Sequence, residues 1–204
     1  MTISTEKQIY SRIKKARRGV LFFSNNFVSY GSTEAVRKAL QRLTNSGELD
    51  RVALGIYVRP MIDDVIGKVS PSIDDIAKAI AKRDKARIVP TGSYALNRLG
   101  LSTQVPMNVV YLTDGAARKI KIGKRIITFR KATPKNVATV GEISGLAIQA
   151  LKEIGKDNVL DKEKKHIQKL LKQEKSTRLE HDIRLAPAWI KEIMKPVLKS
   201  TCNE

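Results

Sequence analysis

The sequence predicts an α+β chain: a small helical module with a β-hairpin over residues 1–60, then an α+β domain over 72–204 whose last part, 142–204, is helical. Three observations predict it. Residues 24–60 run through helix signals, a tight break and two short alternating segments. Residues 87–129 hold short β-type runs punctuated by Gly and Pro. Residues 140–198 place apolar side chains at helical spacing.

The first helix is expected over Thr5 to Ala16, where Ile9, Ile13 and Ala16 share a face. Val20-Leu21-Phe22-Phe23 is a short apolar run suited to a sheet or to packing under the next turn. Ser24-Asn25-Asn26-Phe27 reads as a short helix with Phe27 in the core, and Tyr30-Gly31-Ser32 as the break after it. Ser32 caps a longer helix, Thr33 to Ser46, by accepting from an orphan backbone N–H, and Glu34 suits its positive end. Val36, Ala39, Leu40 and Leu43 form one buried stripe, and Gly47 stands where such a helix ends. Leu49 to Val52 and Ile56 to Arg59 alternate as two strands around Ala53-Leu54-Gly55. The order helix, turn, helix, hairpin is that of a winged helix-turn-helix.

The polar side of the longer helix carries Thr33, Arg37, Lys38, Gln41, Arg42 and Asn45, with no acid after Glu34. These side-chain types bind phosphates and read base edges, which points to double-stranded DNA, with Arg51 and Arg59 of the hairpin available to its backbone.

Charge supports a polyanionic partner. The net charge is +19 over 204 residues. Residues 1–60 hold 11 basic and 4 acidic side chains, residues 61–86 five of each, residues 87–141 ten and one, and residues 142–204 thirteen and ten. Two basic modules therefore flank a neutral segment. Each phosphate neutralised by the first module releases counterions.

Pro60 to Pro71 is expected to connect the modules, with a turn near Asp63 to Lys68. Ser72 then caps a helix of Ile73, Ile76, Ala77, Ile80 and Ala81. Arg87 to Val89 reads as a strand, Pro90-Thr91-Gly92-Ser93 as a turn, Tyr94 to Leu99 as a short helix stopped at Gly100, and Val105 to Leu112 as a strand. Lys119 to Phe129 reads as a hairpin around Gly123. It gathers Lys119, Lys121, Lys124, Arg125, Arg130 and Lys131 into a second basic patch, which suits nucleic acid or an acidic protein surface. Three helices follow, over Val140–Ile154, Lys162–Lys175 and Pro187–Leu198, with Trp189 as a core anchor or, alternatively, a partner hot spot.

Several classes of function are disfavoured. No apolar run approaches the roughly 18 residues of a membrane span. The start, Met1 to Val20, lacks a signal peptide's apolar centre because Lys14, Lys15, Arg17 and Arg18 interrupt it. A single cysteine, Cys202, fits a reducing cytoplasm. With two histidines and one cysteine, no metal site and no cofactor are expected. His166 and His181 read as solvated side chains. Gly92-Ser93 is the one phosphate-suggestive turn, but Met107 to Leu112 supplies no carboxylate pair for a metal, so an enzyme is not expected.

Val36 to Leu43, Gly47-Glu48-Leu49 and Gly55-Ile56-Tyr57 resemble the N-terminal domain of AbiEi-type antitoxins from bacterial type IV toxin–antitoxin systems. Gly92-Ser93-Tyr94-Ala95-Leu96, Leu99-Gly100-Leu101, Pro106, Val109, Thr113 and Ile126-Ile127-Thr128-Phe129 are similar to the start of that family's antitoxin domain. The resemblance spans roughly residues 5–135 and leaves the helices from Glu142 unmatched. It implies an autorepressor that binds operator DNA through its first domain and counteracts a nucleotidyltransferase-like toxin through its second. The alternatives are a transcription regulator without a toxin partner and a degenerate nucleotidyltransferase.

Overall fold

The structure, a computed structural model, describes residues 4–201, with side chains through Leu198; Cys202 lies outside the described residues. The chain is α+β and divides into two compact units, Met1–Ala79 with Lys121–Gly123, and Ile80–Ile120 with Lys124–Glu204.

The first unit runs α1 (Thr5–Lys15), β1 (Leu21–Phe23), a 3-10 helix (Ser24–Tyr30), α2 (Thr33–Asn45), β2 (Asp50–Ala53), β3 (Ile56–Val58), β4 (Met61–Asp63) and β5 (Gly67–Val69). The apolar run at 20–23 does enter a sheet: β3 lies between β1 and β2, antiparallel to both. Ile9 and Ile13 of α1, Phe27 of the 3-10 helix and Leu40 of α2 are fully buried in one cluster, so Phe27 is core as expected. Arg12 covers that cluster, its guanidinium 5.6 Å from the Phe27 ring centroid and its Nη1 donating to Asn26 O at 2.9 Å. The break at Gly31 rests against α1. Thr5 Oγ1 donates to Tyr30 O at 2.8 Å, and a Cβ on residue 31 would stand 2.5 Å from that oxygen, so only glycine lets the turn approach so closely.

The expected connection at 60–71 is instead a hairpin, β4 paired antiparallel with β5. Asp63 makes its turn by accepting from the N–H groups of Val65 and Ile66 at 2.9 and 3.1 Å, which holds its carboxyl below the usual carboxylate range. Lys68 Nζ reaches Asp50 of β2 at 2.6 Å.

Next comes α3 (Ile73–Arg83), capped by Ser72 as expected, with Ser72 Oγ accepting from Asp75 N–H at 3.1 Å. The division between the units falls inside this helix, later in the chain than the composition predicts. The second unit continues with β6 (Ile88–Thr91), α4 (Ser93–Arg98), β7 (Asn108–Thr113), β8 (Arg118–Ile122, its last two residues grouped with the first unit), β9 (Arg125–Lys131), α5 (Glu142–Ile154), α6 (Asp161–Leu171), α7 (Ser176–Leu185) and α8 (Ala188–Thr201). Its sheet has the order β6-β7-β9-β8, with β6 and β7 antiparallel and β7 and β9 parallel. Two boundaries differ from expectation. Pro90 and Thr91 belong to β6, because an edge strand tolerates a residue with no N–H to donate. Strand β7 starts at Asn108, and Val105 and Met107 beside Pro106 are exposed. On one sheet face Tyr111 and Phe129 stack with ring centroids 5.9 Å apart, and Tyr94 of α4 meets Tyr111 edge-on at 6.0 Å.

Helix α5 is the axis of the helical part, buried without a break from Ser144 to Leu151. Its first N–H groups have no cap in their own sequence, because residue 141 is glycine. Later carboxylates supply one. Asp182, fully buried on α7, accepts from Val140 N–H and Gly141 N–H at 2.9 Å each and from Ser144 Oγ at 2.5 Å. Glu174 accepts from Ile143 N–H at 2.9 Å. Helix α7 was not expected. Its buried stripe reads Leu179, Asp182, Ile183, and the carboxylate interrupts the apolar period. The expected helix over Lys162–Lys175 correspondingly ends at Leu171. Both histidines are exposed, as expected, and each also has a polar neighbour: His166 Nε2 lies 2.8 Å from Leu99 O, and His181 Nδ1 lies 2.9 Å from Asp182. Trp189 packs, partly buried, against the helical core.

Replacing Asp182 with Ala strands a buried N–H at Gly141, a part-buried one at Val140 and the buried Ser144 hydroxyl. We expect a loss of about 2–4 kcal/mol, read as a lower urea midpoint for the helical part.

Candidate nucleic-acid interface

Helix α2 is held from both ends and from below. Ser32 Oγ accepts from Ala35 N–H at 3.2 Å, and Val36, Ala39, Leu40 and Leu43 are buried as expected. That stripe leaves two separate flanks facing outward.

On one flank Thr33, Arg37, Gln41 and Asn45 follow one another at four-residue steps, all exposed. They line a groove of about 720 Å³ whose other walls are the 3-10 helix, through Ser24, Asn25 and Val28, and the β2–β3 hairpin, through Arg51 and Leu54. On the other flank Lys38 and Arg42 line a smaller recess beside Ser4, Thr5 and Glu6. Arg42 Nη1 lies 3.0 Å from Glu6 of α1. The six polar residues read from the sequence as one face are therefore two sets, and only four of them share the groove with Arg51.

Glu34 conditions the groove. It accepts from Arg37 through Nε at 3.0 Å and Nη2 at 2.7 Å, and Lys38 Nζ stands 3.7 Å away. The Arg37 guanidinium, and after it Lys38, hold the Glu34 carboxyl below its usual range, while the same pairing raises Arg37. All three side chains are exposed, so the pairing is open to exchange with a phosphate.

Arg59 is not available to a DNA backbone. Its Nη1 donates to the carbonyls of Lys14 and Ala16 and so closes the C-terminus of α1. Conversely, the sequence reading missed Val28 and Leu54, which are 68% and 86% exposed at the groove. A leucine at the centre of a tight hairpin, Ala53-Leu54-Gly55, was the available signal, since turn tips ordinarily carry polar residues.

The second basic patch is not one surface. Lys119 and Lys121 occupy the exposed positions of β8, and Lys124 lies in the turn. Arg125 is half-buried and donates to Pro106 O at 3.3 Å. Arg130 and Lys131 stand at the far end of β9, about 15–20 Å away at the usual rise per strand residue. The Gly92-Ser93 turn opens a helix of only six residues, and the Glu153 carboxylate faces Gly92, with both oxygens 3.8 Å from where a Cβ would be. That charge opposes an anion there. Among the described residues there is no group of three or more His, Cys, Asp or Glu placed to hold a metal ion, and no helix is long and apolar enough to cross a membrane.

A comparison with curated proteins finds no match. Among solved structures, the chain is similar to the RV2827C protein from Mycobacterium tuberculosis, with 14% sequence identity, a TM-score of 0.47, and coverage of 94% of this chain and 80% of that one. Residues 8–179 match the family described as a family of unknown function, DUF6088, and the chain belongs to that family.

Proposed function

We propose that this protein is a sequence-specific DNA-binding regulator whose first unit lays α2 in the major groove. The observation that carries the reading is the ladder Thr33, Arg37, Gln41 and Asn45, exposed at four-residue steps along one wall of a groove that also holds Arg51. Arg and Gln on a recognition helix match the bidentate edges of guanine and adenine. Lys38 and Arg42, on the opposite flank, suit the phosphates bordering the groove. Leu54 at the hairpin tip suits an apolar contact such as a thymine methyl.

The resemblance of residues 92–129 to an antitoxin domain extends the proposal. In that reading the second unit opposes a nucleotidyltransferase-like toxin encoded beside this gene, and the first unit represses the pair. Its support is that resemblance together with the division of the chain into two units. Co-expression with the neighbouring gene tests it: growth arrest by the neighbour alone, relieved by this protein, is expected. A neighbour that is harmless alone removes the toxin half and leaves a regulator.

The DNA reading is tested by a mobility-shift assay on the region upstream of the gene, titrated with salt. Arg37→Ala and Gln41→Ala should each lose about 1–3 kcal/mol on the operator and relax base preference. Lys38→Ala and Arg42→Ala should weaken all sequences alike and flatten the salt slope by about one unit each. If the Arg37→Ala/Gln41→Ala double variant binds as tightly and selectively as wild type, α2 is not the recognition helix.

Glu34→Gln should act in the opposite direction. It frees Arg37 and Lys38 from their shared carboxylate and removes a negative charge from the DNA face. Affinity for any duplex should rise and the salt slope steepen.

A further inference from the structure

The second unit contains an open cleft of about 970 Å³ between the ends of β6, β7 and β9, the segment that follows β9, and α5. Two of its residues, Arg130 and Lys131, belong to the second basic patch read from the sequence. Its walls carry three cations, Arg130 and Lys131 from the end of β9 and Lys152 from α5. None is within ion-pair distance of a carboxylate among the described residues, although Glu153 also lines the cleft. Surrounding protein atoms push the Lys152 ammonium below its usual value, a desolvation that an anion in the cleft would offset.

The floor is polar and directional. Gln149 is only 3% exposed, and its Oε1 accepts from the Thr91 hydroxyl at 3.3 Å. That bond fixes the amide and leaves its NH2 group, two donors, without a protein partner in the cleft wall. A ligand acceptor there would pair with those donors. Leu112 and Pro134 give the same cleft an apolar side.

We propose that this cleft binds a 5′-mononucleotide, its phosphate held by Arg130, Lys131 and Lys152 and its base edge read by the Gln149 amide. A phosphate dianion matches the surplus of two positive charges left after Glu153 is counted against the three cations. Glu153, the only acceptor of full charge in the cleft, suits the ribose hydroxyls, which donate. Leu112 and Pro134 suit a flat ring. The volume falls within the range of small-molecule sites, about 300–1,000 Å³. A site for phosphate alone needs neither the apolar side nor the buried amide.

Isothermal titration of the full chain with AMP, GMP, CMP and UMP tests the proposal, with inorganic phosphate and adenosine as partial probes. At least one nucleotide should bind with Kd below about 1 mM, and both partial probes should bind at least tenfold more weakly. Arg130→Gln and Lys152→Gln, substitutions of exposed side chains, should each weaken binding tenfold or more. Arg37→Ala, in the other unit, should leave it unchanged, which separates this site from the DNA surface. Without any substitution, the Gln149 side-chain amide resonances should shift on nucleotide addition. Nucleotide binding no tighter than that of inorganic phosphate, binding indifferent to both glutamine substitutions, or unmoved Gln149 resonances overturns the proposal.

Discussion

Burial of Val36, Ala39, Leu40 and Leu43 against α1 decides what the first unit can present. A helix held by a stripe that wide has no freedom to roll, so the remaining side chains are sorted by angle alone. Residues 33, 37, 41 and 45 drift by a small angle per step and stay together. Residues 38 and 42 fall on the α1 side, where Glu6 meets Arg42. The groove exists because the hairpin and the 3-10 helix rise on one side of that fixed cylinder and α1 occupies the other.

Much of this was legible in the chain. The caps at Ser32 and Ser72, the stripe of α2, the helix stop at Gly100 and the hairpin at Gly123 are local signals, each set by a few neighbours. What could not be read is what depends on partners distant in sequence. Arg59 looks like a backbone-binding arginine until the carbonyls of Lys14 and Ala16 come to it from 45 and 43 residues away. The second basic patch is contiguous along the chain, but strand geometry draws it out and alternation turns its members to opposite faces. The division of α2 into two flanks was in principle calculable from helical angles. It needed knowledge of which flank α1 would take.

The second unit shows the same limit in its helices. A carboxylate at a buried position breaks the apolar rhythm of α7, and so hides the element that carries it. The same carboxylate completes α5, whose own sequence offers glycine where a capping side chain is needed. Two local irregularities, neither favourable alone, are thus one satisfied interaction.

That interaction sets an order of events during synthesis. Asp182 leaves the ribosome 38 residues after Ser144. At about 5–20 residues per second, the start of α5 therefore waits roughly 2–8 s for its anchor. The three-helix portion of the first unit draws its buried contacts from residues 9–57, all of which precede Ser144 in the chain. A nascent chain thus holds every residue of its first helical core while the start of α5 still lacks its anchor.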